Sequence, residues 1–143
     1  MQYTELLPSE NTFGLIQVDV SHRCNMACHN CFLPNRDFPD LDVDEFENEF
    51  LRHLKGNRIP IRLIGGEPTL NPRLPEFIRR IKAYNHIPTV VTNGLRLAND
   101  TYMQELTSAG LKFVQLSMNG AADDKYYEAL DAGPFAAKKI KAL

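Results

Sequence analysis

The stretch "LIQVDVSHRCNMACHNC", residues 15–31, joins an apolar run to a polar loop that contains every cysteine of the chain. Branched apolar residues alternate with polar ones over 15–20, a pattern that predicts a β-strand. The loop that follows carries Cys24, Cys28 and Cys31, at offsets of four and then three residues. This strand and its thiol-rich loop are the first unit of the predicted fold and also the first candidate site.

Similar strand-like runs recur along the chain, and a helical pattern follows each of them. The later predicted strands cover 59–64, 87–92 and 113–118, and the predicted helices cover 42–55, 71–84 and 99–110. The tail over 123–143 predicts one or two helical pieces, broken at Gly133 and Pro134.

Capping residues support the predicted ends of these helices. Asp42 and Glu45 form a plausible capping pair for the first helix. Asn71 and Pro72 suit the first turn of the second helix. Gly110 predicts the end of the third helix, because glycine readily adopts the left-handed conformation found after helix termini.

Four strands, each followed by a helix, predict an α/β fold with a parallel sheet and right-handed crossovers. Buried parallel strands are usually apolar on both faces. Here polar residues share one face of three strands, namely Gln17 and Asp19, then Arg62, then Gln115, Ser117 and Asn119. A repeated polar face favours a wide, incompletely closed barrel whose interior holds water or a ligand. A mixed sheet with one face in solvent is the alternative.

Composition narrows the classes of function. A chain of 143 residues with 43% hydrophobic and 24% charged residues is typical of one globular domain. Its net charge of −2, without a basic cluster, gives no nucleic-acid signal. The sequence has no apolar run long enough for a membrane span and no signal pattern over residues 1–14, so we expect a cytoplasmic protein. Because cytoplasmic thiols stay reduced, the three cysteines indicate metal binding or catalysis before disulfides.

Two kinds of metal centre suit the cysteine loop. Thiolates are soft ligands for Zn²⁺ and for iron–sulfur clusters. A structural zinc site needs a fourth ligand, which His22 or His29 would supply. A [4Fe–4S] cluster held by three thiolates keeps an open position on one iron. The cysteine spacing by itself leaves this choice open.

Unusual loops also follow the other predicted strands. These loops are "GGEPTL" (65–70), "TNG" (92–94) and "SMNG" (117–120). Parallel folds bind ligands at the carboxyl ends of their strands, where all these loops should meet. Glu67 would place a carboxylate there that suits an ammonium group. Each loop alone is an ordinary turn, so its position after a strand carries the argument.

Taken together, these segments resemble the radical S-adenosylmethionine (radical SAM) superfamily. "CNMACHNC" is similar to its C-x₃-C-x₂-C signature, "GGEPTL" to its second-strand GGE(P) motif, and "TNG" and "LSMNG" to its third- and fourth-strand segments. The resemblance implies a partial (β/α)₆ barrel, with residues 1–143 as a single core domain that ends after about four of six units. It implies an oxidoreductase-type enzyme that cleaves SAM reductively to a 5′-deoxyadenosyl radical.

The resemblance also implies a role for individual residues. Cys24, Cys28 and Cys31 would bind a [4Fe–4S] cluster. The remaining contacts would be to SAM: Gly65, Gly66 and Glu67 to its ammonium group, Ser117 near its carboxylate, Thr92 or Asn93 along the pocket, and Asn30 or Phe32 at its adenine. Arg62 would contact a substrate or a carboxylate, or would be an ion-paired surface residue.

Partners follow from the same resemblance. The enzyme would need a one-electron reductant such as a flavodoxin or ferredoxin, and an unidentified substrate, a peptide or a small metabolite. The alternatives are a zinc-stabilised binding module, an inactive fragment without turnover, and a metal-free βα-fold protein that acts by interaction alone.

Overall fold

The computed structural model describes residues 13–33, 35–54 and 56–143. Four strands form one parallel sheet whose spatial order follows the sequence. They are β1 (Ile16–Ser21), β2 (Pro60–Gly65), β3 (Ile87–Thr92) and β4 (Phe113–Leu116). The α/β fold with successive parallel units is therefore confirmed. Most of the segment examined for a signal sequence, residues 1–12, lies outside the described residues.

Helices connect the strands and follow the last one. They are α1 (Val43–Glu49), α2 (Leu74–Ala83), α3 (Asp100–Ala109), α4 (Asp124–Asp131) and α5 (Ala136–Lys141). Short 3₁₀ helices cover Leu51–His53 and Pro68–Leu70. No helix in the described part of the chain is long and apolar enough to cross a membrane.

The hydrophobic core lies between one face of the sheet and helices α1 to α3. Ile61 and Leu63 of β2 are fully buried there, beside Phe77 and Ile78 of α2. The alternation of strand residues sends every second side chain to this face. The opposite face of the sheet carries the more polar side chains, as the sequence predicted.

Two helix boundaries differ from the predictions. The first helix ends at Glu49 rather than near residue 55, because Phe50 leaves the helical conformation and Leu51 turns into the core. Lys55, the predicted last residue, lies outside the described residues. Asp42 does cap α1, and its carboxylate accepts from the backbone N–H groups of Asp44 and Glu45 at 2.8 and 3.1 Å.

The second helix begins at Leu74, three residues later than predicted. Asn71 does not cap it. Its side-chain amide instead donates to the carbonyl oxygen of Val20 at 2.8 Å, and its side-chain oxygen accepts from the N–H of Arg73. The side chain that the sequence assigned to a helix start therefore bonds β1 and the turn before the helix.

The later elements agree better with the sequence. Asn99 caps α3, and Gly110 ends it in the left-handed conformation at φ 108°. The tail forms two helices separated by residues 132–135, which include Gly133 and Pro134. Strand β4 ends at Leu116, two residues earlier than predicted, so the serine of the "SMNG" segment lies in the loop.

The folding stability should depend on pH through His86. This side chain is 5% exposed, and its Nδ1 accepts from the N–H of Ile59 at 3.4 Å. Burial lowers its pKa, although its bond to the backbone of Leu54 opposes the shift. Below about pH 6.5, an unfolded histidine takes up a proton that the folded one resists, so the unfolding free energy falls as pH falls through that value.

Urea unfolding between pH 8 and pH 5.5 measures this effect, and His86→Gln is the informative variant. We expect the variant to be less stable at pH 8 but to lose less stability on acidification than the wild type. Parallel pH profiles for the two proteins would exclude His86 as the source.

Candidate functional site

The polar face of the sheet and the loops at its carboxyl edge enclose a cavity of about 510 Å³. All the residues predicted for the site line it: Cys24, Cys28, Cys31, Asn30, Gly65, Gly66, Glu67, Thr92, Asn93 and Ser117. Gln17, Arg62 and Gln115 form its floor, so the predicted polar face does face an interior space. The structure thus brings together the predicted site residues, of which Cys24 and Ser117 lie furthest apart in the sequence.

The cysteine loop is held by backbone bonds and one buried side chain. Met26 is 5% exposed and anchors the loop between the first two thiols. Its N–H donates to Cys24 Sγ at 3.4 Å, and the N–H of Cys31 donates to the carbonyl oxygen of Cys28 at 3.3 Å. All three cysteines are free thiols. The loop therefore presents three soft donors to one cavity.

The thiols lie in different electrostatic surroundings. The backbone of Leu33 has the largest effect on Cys31 and lowers its pKa; burial opposes this shift, and the Arg36 guanidinium lowers the pKa further. Burial and then the negative charge of Asp131 raise the pKa of Cys28. Arg36 also donates a hydrogen bond to the carbonyl oxygen of Met26, which places its positive charge against the middle of the loop.

The two glycines make room for the chain's own backbone. A Cβ on Gly65 would lie 2.0 Å from the carbonyl oxygen of Ser21, and Gly65 has a φ of +152°. A Cβ on Gly66 would lie 2.5 Å from the carbonyl oxygens of both His22 and Arg23. Glycine therefore allows the end of β2 to pack directly against the start of the cysteine loop.

Glu67 is the centre of a buried hydrogen-bond network. It is fully buried, and its Oε1 accepts from the N–H of Thr69 at 3.1 Å and from the hydroxyls of Thr69 and Thr92 at 2.6 Å each. Its Oε2 accepts from the N–H of Asn93 at 2.7 Å. Its own N–H donates to the carbonyl oxygen of Arg23 at 2.7 Å. Glu67 thus joins three segments: its carboxylate links the end of β2 to β3, and its backbone N–H links both to the cysteine loop.

The remaining predicted contacts surround this network. Ser117 follows β4, and its N–H donates to the carbonyl oxygen of Thr92 at 2.9 Å. Asn30 is exposed at the cavity edge, and Phe32 is 84% exposed beside it. Arg62 is half-buried on the floor and donates to Gln17 Oε1 at 3.2 Å.

The histidines weighed as zinc ligands have other surroundings. The ring of His22 packs against Phe38 with centroids 5.2 Å apart. His29 is exposed, and its N–H donates to the carbonyl oxygen of Leu130. Within the described residues, no three His, Cys, Asp or Glu side chains converge closely enough for a single metal ion. A cuboidal cluster does not need ligands that converge on one ion, because each thiolate binds a separate iron. Three free thiols around one cavity fit that requirement.

Three charged residues of the cavity were not predicted from the sequence: Arg36, Asp131 and Lys139. Arg36 lies in the Pro/Asp-rich segment before α1, which has no regular pattern. Asp131 and Lys139 come from the tail helices, where "KKIK" resembles a solvated basic face. Both are 1% exposed. Only their burial beside the cavity distinguishes Asp131 and Lys139 from surface charges. The sequence pattern therefore could not predict their position.

Comparison with known proteins gives one family. The family described as the radical SAM superfamily matches residues 18–143. The chain is 32% identical over 127 residues to the 7,8-dihydro-6-hydroxymethylpterin dimethyltransferase of Methanocaldococcus jannaschii, a match that covers 84% of this chain and 25% of that protein. It is 33% identical over 119 residues to the GTP 3′,8-cyclase of Chlorobaculum tepidum, which covers 80% and 36%. The chain thus spans a quarter to just over a third of these relatives.

Solved structures share the fold. SuiB of Streptococcus suis bound to S-adenosylmethionine superposes with a TM-score of 0.71 and 22% identity, over 90% of this chain and 28% of that one. SuiB bound to its precursor peptide SuiA gives a TM-score of 0.73 and 24% identity, over 90% and 29%. At this level of identity the likeness concerns the fold alone.

The close packing at Gly66 predicts a strong effect of one added methyl group. In Gly66→Ala the new Cβ would meet two backbone oxygens, so the cysteine loop must shift. We expect a loss of about 1–3 kcal/mol in unfolding free energy, as for overpacked cores. Gly14→Ala is the control, because nothing lies within 4 Å of its added Cβ. Equal urea midpoints for the two variants would contradict this packing argument.

The Glu67 network predicts a stability loss that is independent of any ligand. In Glu67→Gln one carboxylate oxygen becomes an NH₂ group, which would face the donor N–H of Asn93 or displace the threonine donors. An unsatisfied buried donor costs about 1–3 kcal/mol. Urea unfolding of the ligand-free chain measures this, with the exposed Glu128→Gln as control. A Glu67→Gln variant as stable as the control would show that the network does not support the fold.

Proposed function

This chain belongs to the radical SAM superfamily, and from that premise we propose that Cys24, Cys28 and Cys31 hold a [4Fe–4S] cluster beside a bound SAM molecule. Members of the family bind these two cofactors, and the related proteins are enzymes. When bound, the pair supplies reductive cleavage of SAM to a 5′-deoxyadenosyl radical, which abstracts hydrogen from a substrate. The observation that carries the proposal is that all three thiols of the chain face one cavity at the strand ends.

The chain's own residues would position SAM through the network around Glu67. A carboxylate offers about four acceptor positions, and Oε1 already takes three donors whereas Oε2 takes one. The acceptor capacity that is left lies on Oε2, at the cavity. We propose that it receives the ammonium group of SAM together with the backbone of Gly65 and Gly66. Because the carboxylate is fixed by four hydrogen bonds, the contact needs little reorganisation.

Other residues at the edge of the cavity would complete the pocket. Ser117 lines the same cavity as Glu67 and would suit the SAM carboxylate region, and Thr92 or Asn93 would line the pocket. Asn30 would hydrogen-bond the adenine edge, or the exposed ring of Phe32 would cover it. Arg62 would contact an anionic group from the cavity floor.

The activity of the whole protein is also a proposal, because the chain matches only part of each relative's length. We propose that residues 1–143 form a single core domain with four of six β/α units. Radical SAM enzymes need a reductant and a substrate, and SuiB binds a precursor peptide. We propose a flavodoxin or ferredoxin as the reductant, a peptide or small metabolite as the substrate, and a cytoplasmic location where the thiols stay reduced.

Anaerobic reconstitution with iron and sulfide tests the cluster site directly. We expect a brown protein with about four irons per chain. The electron paramagnetic resonance spectrum of the reduced protein should change on addition of SAM, because SAM binds at the iron that has no cysteine. A colourless protein that takes up zinc, or an iron signal that ignores SAM, would refute the proposal.

Substitutions identify the ligands in the same experiment. Replacing any one of Cys24, Cys28 or Cys31 by Ala should abolish the four-iron content. His22→Ala and His29→Ala are the matched controls from the same loop, and both should retain it. Loss of metal in a histidine variant would favour a zinc site instead.

A further inference from the structure

A buried ion pair forms the wall of the cavity beside the cysteine loop. Asp131 ends α4 and Lys139 lies in α5, and both are 1% exposed. Lys139 Nζ lies 3.2 Å from Asp131 Oδ2 and donates to the carbonyl oxygen of Ser117 at 2.8 Å. Buried ion pairs are weak stabilisers, because well-packed apolar residues often serve as well. This pair lines the cavity, so its position suggests a role other than stability.

The pair faces Cys28. The N–H of His29 donates to the carbonyl oxygen of Leu130 at 2.9 Å, so the backbone joins the residue after Cys28 to the residue before Asp131. Cys28, Asp131 and Lys139 all line the same cavity. The Asp131 charge contributes to the raised pKa of Cys28, which agrees with their proximity.

The Asp131 carboxylate has one oxygen occupied and one left without a hydrogen bond. Its Oδ1 accepts from the side-chain amide of Asn119. Its buried Oδ2 has no hydrogen-bond partner of good geometry among the described residues and lies 3.2 Å from Lys139 Nζ. The Lys139 ammonium also lies 5.4 Å from the ring centroid of Tyr127. Lys139 is thus the cation that compensates this carboxylate.

We propose that Lys139 is a positioning residue for the cluster: it neutralises Asp131, so that Cys28 can be held as an iron-bound thiolate beside a buried carboxylate. The inference rests on the proposed cluster site. Without Lys139, two negative groups would be adjacent in a buried wall, where screening by water is weak. The Arg36 charge also reaches the three thiols, but its hydrogen bonds go to Met26 and Cys31 of the cysteine loop, whereas the described cation paired with Asp131 is Lys139.

The test uses four forms of the chain: wild type, Lys139→Met, Asp131→Asn and the double variant. Each is reconstituted anaerobically, and iron content, the rate of iron loss to a ferrous chelator and the midpoint potential are measured. Lys125→Met and Asp123→Asn are matched controls, because this pair is 2.9 Å apart in the same region but is solvent-exposed. Circular dichroism of the apo forms checks folding.

We expect Lys139→Met to weaken cluster retention by roughly 10–100-fold, as for other partners of metal ligands. Adding Asp131→Asn to Lys139→Met should restore most of the retention, because it removes the uncompensated charge. Asp131→Asn alone should keep the cluster and raise its midpoint potential, since a nearby negative charge disfavours reduction. Both control variants should behave as wild type.

Several outcomes would overturn the inference. Wild-type retention and potential in Lys139→Met would do so, and so would a double variant that loses iron as fast as Lys139→Met, because Lys139 would then act by packing alone. If Lys139→Met does not fold, the potential of Asp131→Asn decides: a rise supports the inference and no change overturns it. A wild-type chain that binds no cluster would overturn the proposed function, and the inference with it.

Discussion

The buried carboxylate of Glu67 is the interaction on which the site depends. It accepts hydrogen bonds from Thr69, Thr92 and Asn93, and its own N–H bonds the carbonyl oxygen of Arg23. These residues belong to three separate segments that meet only at the carboxyl edge of the sheet. A buried carboxylate without partners would be very unfavourable, so the end of β3 must meet the segment of Glu67 and Thr69 to satisfy it, and the backbone bond to Arg23 adds the cysteine loop. The cysteine loop therefore starts from a fixed point before any ligand binds.

The glycines before Glu67 act in the same way. The sequence suggests that their freedom serves a ligand, whereas the structure shows backbone of the cysteine loop in the space that a side chain would fill. The two interpretations are compatible, because a loop that lies directly on the end of β2 is also the loop that borders the cavity. Close packing of this kind transmits displacement, since interiors leave few voids to absorb it. Gly65 and Gly66 therefore support the cysteine loop and shape the pocket through the same close packing.

The fold and most of the site could be predicted because topology leaves little choice. Parallel strands in sequence order place their carboxyl ends on one edge, so Cys24, Glu67, Asn93 and Ser117 had to meet once the strands were recognised. Burial of charge could not be predicted in the same way. Lys139 lies in a basic tail that a one-dimensional pattern assigns to solvent, and only the reversal of the chain after α4, where Ala132 is left-handed, turns it inward. Asn71 failed as a helix cap for a similar reason: its amide donates to the carbonyl oxygen of Val20 in β1, and its side-chain oxygen accepts from the N–H of Arg73, before the helix begins.

Relatives that differ in their named substrates match most of this chain. A pterin dimethyltransferase and a GTP cyclase have different substrates by name, yet each matches 80% or more of this chain with a quarter to about a third of its own length. What such proteins share in that stretch is expected to be the common cofactor chemistry, while substrate selection would depend on other parts. The arrangement within the chain agrees with this division. The thiols, the Glu67 network and the Asp131–Lys139 pair all border one cavity. Strand β4 contributes Gln115 to the same cavity, although Phe113 and Val114 at this edge of the sheet are exposed.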